Sequence, residues 1–303
     1  MSAVPQTERP AAWWLATLKR RAQRQSDEYV DLSQPITWPS PEAQRAAIKF
    51  FNAAFRAEES GLRQAHELAH EVASWDPELA EVLRLYGNEE GWHRELLTEF
   101  LDYIGGRVEP MGRVTRTLYS VYARAHRMES IVLTNLMFEC IGSTTYRLTL
   151  GRVEHPALRK MLTILTRDEA FHVPLNVFFL RQVLARSGRL EKLRVEYLYK
   201  LLFLALVLLP IASRRKALAF DGIPTLELMR AYARALGGLF PEGSFPKGSH
   251  LSMRPPRLAL WALGLRSRDL QGDELLQIGM DAAERAADRD QVAVRGLDFK
   301  NAP

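Results

Sequence analysis

Two short runs repeat one order of chemistry: Glu89-Glu90-Gly91-Trp92-His93 and Asp168-Glu169-Ala170-Phe171-His172. On a helix, residues three apart share a face, so Glu90 with His93 offers one oxygen and one nitrogen to a single cation. Glu169 with His172 does the same. Two such helices can hold two transition metals, and the set is completed by one inward glutamate from each of two further helices. The candidates are Glu139 and either Glu58 or Glu59. Along the face of Glu58 lie Phe51, Phe55, Leu62, Ala65, Ala69 and Val72, all apolar; the same offsets from Glu59 give Asn52, Arg56, Arg63, His66, His70 and Ala73. The comparison favours Glu58 as the inward residue.

The pattern repeats in both halves. Gly61 follows Glu58 by three residues and Gly142 follows Glu139 by three, leaving room beside each carboxylate. Equivalent glutamates are 32 residues apart in the first half, Glu58 to Glu90, and 30 in the second, Glu139 to Glu169. A third Glu-x-x-His, Glu67-Leu68-Ala69-His70, lies half a turn round the helix from Glu58 and reads as solvated surface. Four carboxylates in apolar stripes are prohibitive to bury without cations. Asp168 and Glu89 are placed to accept the outer ring protons of the metal-binding histidines across the bundle, Asp168 for His93 and Glu89 for His172.

Helices must position these groups. Apolar residues recur at three and four throughout Pro41 to Gly238, so the spacing predicts an all-α chain. Ser40-Pro41-Glu42 and Asp76-Pro77-Glu78 start the first two bundle helices, which end near Ser74 and at Gly105-Gly106. The third is expected from about Gly112 to Gly151 and the fourth from Pro156 to Ser187-Gly188, bent at Pro174. Measured along the helices, Glu58 matches Glu90 and Glu139 matches Glu169, whereas the stretch Gly112 to Ala125 is surplus. A long crossover between the second and third helices uses that surplus, giving a ferritin-like four-helix bundle. Residues 1–39 then form an N-terminal extension, 40–190 the bundle, and 191–303 a C-terminal helical extension. Its helices are expected at Leu190 to Leu218, Thr225 to Gly238 and about Asp273 to Asp290, with loop between Pro241 and Pro256.

Composition narrows the classes. With 47% hydrophobic and 25% charged residues, a sizeable soluble core is affordable. Cys140 is the single cysteine, which excludes disulfide frameworks and cysteine-rich metal sites and makes a reducing, cytoplasmic setting the expectation. The N-terminus lacks a secretory pattern. The apolar stretch Tyr197 to Ala212 contains Lys200 and Pro210 and falls short of the ~20 residues that span a bilayer, so a buried or interfacial helix is expected and no transmembrane span. The net charge of +5 is modest; Lys19-Arg20-Arg21 and Arg214-Arg215-Lys216 read as solvated faces, and no basic stripe with interleaved aromatics calls for nucleic acid.

The paired Glu-Glu-x-x-His and Asp-Glu-x-x-His motifs, each preceded by a helix with one inward glutamate, resemble the ferritin-like non-haem di-iron carboxylate superfamily. Ala57-Glu58-Glu59 with the two runs is most similar to soluble acyl-carrier-protein desaturases, and Glu139-x6-Tyr146 is similar to rubrerythrin-like members. The resemblance covers about residues 40 to 190. It implies that Glu58, Glu90, His93, Glu139, Glu169 and His172 bind two iron ions, or manganese with iron. Either Glu90 and Glu169 or the single glutamates of the first and third helices would bridge them. It further implies O2 as co-substrate and an oxidant able to take hydrogen from an unactivated C–H bond.

Ser143, one turn after Glu139, stands near where desaturases carry a threonine and is the candidate for proton delivery; Tyr146 is the candidate carboxylate partner or redox relay. The third histidine of the superfamily's N-oxygenases is replaced by Leu165, which counts against arylamine oxidation. Without a rubredoxin-type cysteine set, electrons come from an external donor or the substrate. The expected activity is an oxidase, desaturase or hydroxylase on an apolar small molecule or acyl-carrier substrate, with Phe203, Leu206 and Leu209 as a candidate channel wall. Iron oxidation or peroxide removal without an organic substrate is the alternative, and an RNA-modifying hydroxylase a third. Dimers are common in the group it resembles.

Overall fold

In the computed structural model the described residues are 9–25, 27–110, 127–240, 244–245 and 251–270, with side chains 213–216 left aside. They form an all-helical chain: α1 (Ala11–Gln25), α2 (Pro41–Val72), α3 (Pro77–Tyr103), α4 (Met128–Leu150), α5 (Pro156–Arg186), α6 (Arg189–Asp221), α7 (Thr225–Gly238) and α8 (Arg257–Ala262), then a 3-10 turn at Ser267–Asp269. No strand occurs among the described residues.

Local chemistry fixes the helix ends. The Ser40 hydroxyl accepts from the Ala43 amide at 3.2 Å and the Asp76 carboxylate from the Leu79 amide at 3.0 Å, each followed by proline in the first turn. At the far end of α3, Gly105 turns left-handed (φ 78°) and the Gly106 amide reaches back to the Leu101 carbonyl at 2.8 Å. Helix α5 continues through Pro174 to Arg186.

Helices α2 and α3 form one antiparallel hairpin, and α4 and α5 a second. Two apolar clusters fill opposite ends of this four-helix unit. One joins Leu68, Val72, Leu79 and Leu83 to Leu133, Leu136 and Leu180; the other joins Phe51, Phe55, Leu97 and Phe100 to Tyr146, Leu158 and Met161. The C-terminal halves of both α3 and α4 therefore lie in the second cluster, so the two helices run parallel. The chain must return the length of the bundle between them, about 40 Å at ~1.5 Å per residue. Its first steps are visible along α2: Gln44 donates to the Ile104 carbonyl at 2.9 Å, Asn52 to that of Arg107 at 3.0 Å, and Arg56 to that of Glu109. This arrangement is compatible with a crossover between α3 and α4, and the helix expected from about Gly112 to Gly151 is interrupted at Arg127. Arg127 is extended (φ −107°, ψ 119°) and α4 begins only at Met128; the surplus Gly112 to Ala125 lies outside the described residues, as does the helix expected at Asp273 to Asp290.

Three further helices close the unit. α1 packs along α3, with Trp14 between Phe171 and Phe178 at 5.7 and 5.8 Å, so its inner face is Trp14, Thr17, Leu18 and Arg21. Helix α6 lies on α2, α4 and α7. It runs from Arg189 to Asp221, close to the expected Leu190 to Leu218, but its apolar part exceeds the 16 residues from Tyr197 to Ala212: Arg189–Ala212, 24 residues, is by length and composition apolar enough to cross a membrane, with about a third buried. Phe203 and Leu206 pack into the main core, whereas Leu209 is partly exposed.

Candidate metal centre

Between the two apolar clusters lies a single polar layer. Glu58, Glu90, His93 and Glu169 form one group whose ligand atoms lie within 4.8 Å of one another, and Glu90, Glu139 and His172 form a second by the same measure. All six side chains are buried. This cluster can hold a metal ion, and Glu90 belongs to both groups. Glu59 sits at the surface in an ion pair with Arg56 at 2.6 Å, and Glu67 is exposed.

The histidines are mounted alike. His93 Nε2 lies 3.1 Å from Asp168 Oδ2 and His172 Nε2 lies 3.0 Å from Glu89 Oε2, the cross-bundle pairing that the sequence spacing suggests. Each Nδ1 therefore faces inward: that of His93 is 3.2 Å from Glu58 Oε2, and that of His172 is 3.1 Å from Glu90 Oε1, 3.5 Å from Glu169 Oε2 and 3.7 Å from Glu139 Oε2. Glu58 Oε1, Glu90 Oε1 and His172 Nδ1 are buried without an aligned hydrogen-bond partner. Lone pairs that converge without a donor fit a cation better than they fit one another.

The electrostatics divide into two shells. In the outer one, Arg21 donates from Nε to Glu89 Oε1 at 2.9 Å and from Nη2 to Asp168 Oδ1 at 2.7 Å. Arg167 donates to both oxygens of Asp168, at 2.6 and 2.8 Å, and to both of Glu28, at 2.9 and 2.7 Å; Lys160 meets Glu28 at 2.8 Å. Burial would raise the Glu89 carboxyl, but the Arg21 charge and the His172 bond hold it down at about 2. Burial likewise opposes, and Arg167 and Arg21 reverse, so that Asp168 lies well below the usual range. This shell is self-neutral. Among the described residues, the inner shell holds four carboxylates and two imidazoles and no lysine or arginine. Burial, then Glu169 and Glu90, push Glu58 well above the usual carboxylate range. Burial lowers the His172 imidazole, yet Glu90, Glu169 and Glu89 overcome it and carry it well above the ordinary value. Glu90 goes the other way: burial would raise its carboxyl, but the two histidines hold it below the ordinary value. Glu58 and His172 thus hold their protons more tightly than usual, and cations bound there must displace them.

Besides Arg167, Glu28 and Lys160, three more residues were not evident from sequence. Tyr86 donates to Glu139 Oε1 at 2.5 Å and lies edge-on to His172 at 4.7 Å; its signal is its place one turn before Glu90. Asn176 donates to the His172 carbonyl at 3.1 Å and to the Tyr86 oxygen at 3.5 Å. Arg21 is 7% exposed, so the solvated reading of Lys19-Arg20-Arg21 fails at that residue. Its signal was the spacing Trp14, Leu18, Arg21 on one helical face. Of the two predicted catalytic residues, Ser143 is buried on α4, beside Thr144 and Thr145, whose hydroxyls return to the Cys140 and Ile141 carbonyls. Tyr146 lies in the second apolar cluster, 6.0 Å from the Phe50 ring. A Cβ on Gly61 would stand 3.0 Å from Glu90 Oε2, so an alanine there requires that carboxylate to give way; at Gly142 a Cβ would meet only Tyr146, at an ordinary 3.7 Å.

Comparison with protein-family models, with curated proteins and with solved structures finds no match. The described residues are helical and carry a buried carboxylate-histidine cluster that could bind a metal, compatible with a di-iron site.

Proposed function

We propose that this chain is a ferritin-like, O2-using non-haem di-iron oxidase or oxygenase acting on an apolar, acyl-type substrate. The observation that carries the reading is the charge balance of the polar layer. The outer carboxylates Glu89 and Asp168 are matched by Arg21 and Arg167, whereas Glu58, Glu90, Glu139 and Glu169 share a dry interior with two imidazoles only. Four carboxylates neutralise two divalent ions, and two Glu-x-x-His helices with two single glutamates are the donor set of dinuclear carboxylate centres. Oxygen and imidazole donors suit iron or manganese.

Glu58, Glu90, His93 and Glu169 would hold one ion and Glu90, Glu139 and His172 the other, with Glu90 shared. Bound iron supplies the electrons that reduce O2 and the oxidising power for C–H chemistry. The protein's own residues prepare the place. Asp168 and Glu89 fix the ring orientation and tautomer of the two histidines, and Tyr86 holds one oxygen of Glu139. The apolar clusters above and below exclude water, and Ser143 carries a movable proton one turn from Glu139. Cys140 is the only thiol in the sequence, so reducing equivalents come from a separate donor, in a cytoplasmic setting.

Anaerobic loading with ferrous iron, a counted O2 exposure and mass spectrometry of an acyl-carrier and fatty-acid library test the proposal. Two irons per chain and an oxidised or desaturated product are expected. Iron oxidation without product across the library would point instead to an iron- or peroxide-handling protein.

A further inference from the structure

The long helix α6 uses two faces for different purposes. Val195, Tyr199, Phe203, Leu206 and Val207 pack inward. Across the helix, Leu193, Tyr197, Leu201, Leu204, Leu208 and Ile211 recur at intervals of three and four and stay in contact with solvent: Tyr197 is 71%, Leu201 52%, Leu208 49% and Ile211 62% exposed. This face runs for about 27 Å. Its middle, Leu201 to Ala212, contains no charged residue at all. Scattered exposed apolar residues are ordinary, but a continuous stripe is not, and it marks a surface that something covers.

The charges say what kind of surface. By sequence, Arg189–Asp221 carries seven Lys/Arg against three Asp/Glu, with Arg189 and Arg194, both exposed, before the uncharged middle and the basic run Arg214-Arg215-Lys216 after it. Pairing with a second copy through this face sets a basic helix on a basic helix, whether parallel or antiparallel. An anionic bilayer surface instead complements both the apolar stripe and the flanking charge, and Tyr197 at the stripe's edge is an amphipathic side chain suited to the headgroup level. The helix is long enough to span a membrane, but its inner face is committed to the core, so it lies along the surface and does not cross.

We propose that the outward face of α6 docks this protein, peripherally and reversibly, on an anionic lipid bilayer. The test is sedimentation of the full-length protein with extruded vesicles of phosphatidylcholine containing phosphatidylglycerol, and of phosphatidylcholine alone. Binding to the anionic vesicles is expected, falling about tenfold or more on the neutral ones and in high salt. The variant Leu201→Glu with Leu208→Glu should remain in the supernatant with unchanged circular dichroism and metal content. Leu204→Gln with Ile211→Gln gives the same reading should the charged pair fail to fold. Wild-type protein that stays in solution with every vesicle, or variants that sediment as well as wild type, overturns the proposal. So does a dimer, seen by light scattering, that the variants lose while wild type ignores vesicles; that result assigns the face to a second copy.

Discussion

Arg21, on a helix outside the four-helix unit, places its Nη2 2.7 Å from Asp168 Oδ1 and its Nε 2.9 Å from Glu89 Oε1. One guanidinium thereby joins the two carboxylates that orient the two cluster histidines, and it lies 4.2 Å over the Phe171 ring. Helix α1 is consequently part of the centre. Arg21→Met should leave two buried carboxylates short of a partner and cost about 3–5 kcal/mol in urea unfolding. Looser histidines should weaken metal binding by about 10–100-fold in a competition titration. Arg21→Lys, with a point charge in place of the fork, should recover only part.

Glu58 gives a prediction with opposite signs in two states. Its carboxyl is pushed up by burial and then by Glu169 and Glu90, so keeping it ionised without a cation is costly. Glu58→Gln should raise the Tm of chelator-treated protein, because a neutral isostere removes one of the crowded acids. The same change should diminish the Tm gain on adding ferrous or manganous ion, which for a wild-type site reflects a stabilisation of about 2.7 kcal/mol at a hundredfold excess over Kd. Equal melting of the two chelated proteins would contradict the account.

Sharing of Glu90 between the two ligand groups predicts unequal stoichiometries. Glu90→Ala should lose both ions, whereas Glu139→Ala should keep one, held by Glu58, Glu90, His93 and Glu169. Metal analysis after gel filtration reads this directly, with circular dichroism as the control for folding.

Gly61 separates helix stability from metal binding. Alanine is the better helix former by about 1 kcal/mol, yet its methyl would stand 3.0 Å from Glu90 Oε2 and force that carboxylate to move. Gly61→Ala should leave the helical signal intact, lower metal affinity and alter the spectrum of a cobalt-substituted centre. Gly142→Ala, with an ordinary contact to Tyr146, should change neither.

Acid sensitivity traces partly to Glu28. Burial alone would raise its carboxyl, but the two bonds and charge of Arg167, with the bond from Lys160, hold it below the ordinary range. A carboxyl that is lower in the folded than in the unfolded chain contributes stability present above its unfolded value and lost as pH falls through its folded one. Between about pH 5 and pH 3, wild type should therefore lose stability more steeply than Glu28→Gln, which starts lower. Chemical unfolding of the chelated proteins across that interval measures it.

The amino-acid sequence by itself determined the starts of α2 and α3 and the six candidate ligands, because each rests on a local pattern. Ser40-Pro41 and Asp76-Pro77 cap their helices through atoms two or three residues away, and i to i+3 spacing puts Glu90 with His93; Glu169 comes within 3.5 Å of His172 by the same spacing, yet tertiary packing groups it with Glu58, Glu90 and His93. The inward choice of Glu58 over Glu59 followed from one amphipathic face, and even the pairing of Asp168 with His93 follows once two such helices face each other. What only tertiary structure decided depends on contacts between distant segments. Arg21 lies 147 residues from Asp168, and nothing near either residue specifies their meeting. The start of α4 was misplaced because Arg127 is extended where helical periodicity runs on. Tyr86 against Glu139 and the outward stripe of α6 were hidden for the same reason: periodicity shows that a helix has an apolar face, but which apolar face is covered depends on what packs against it.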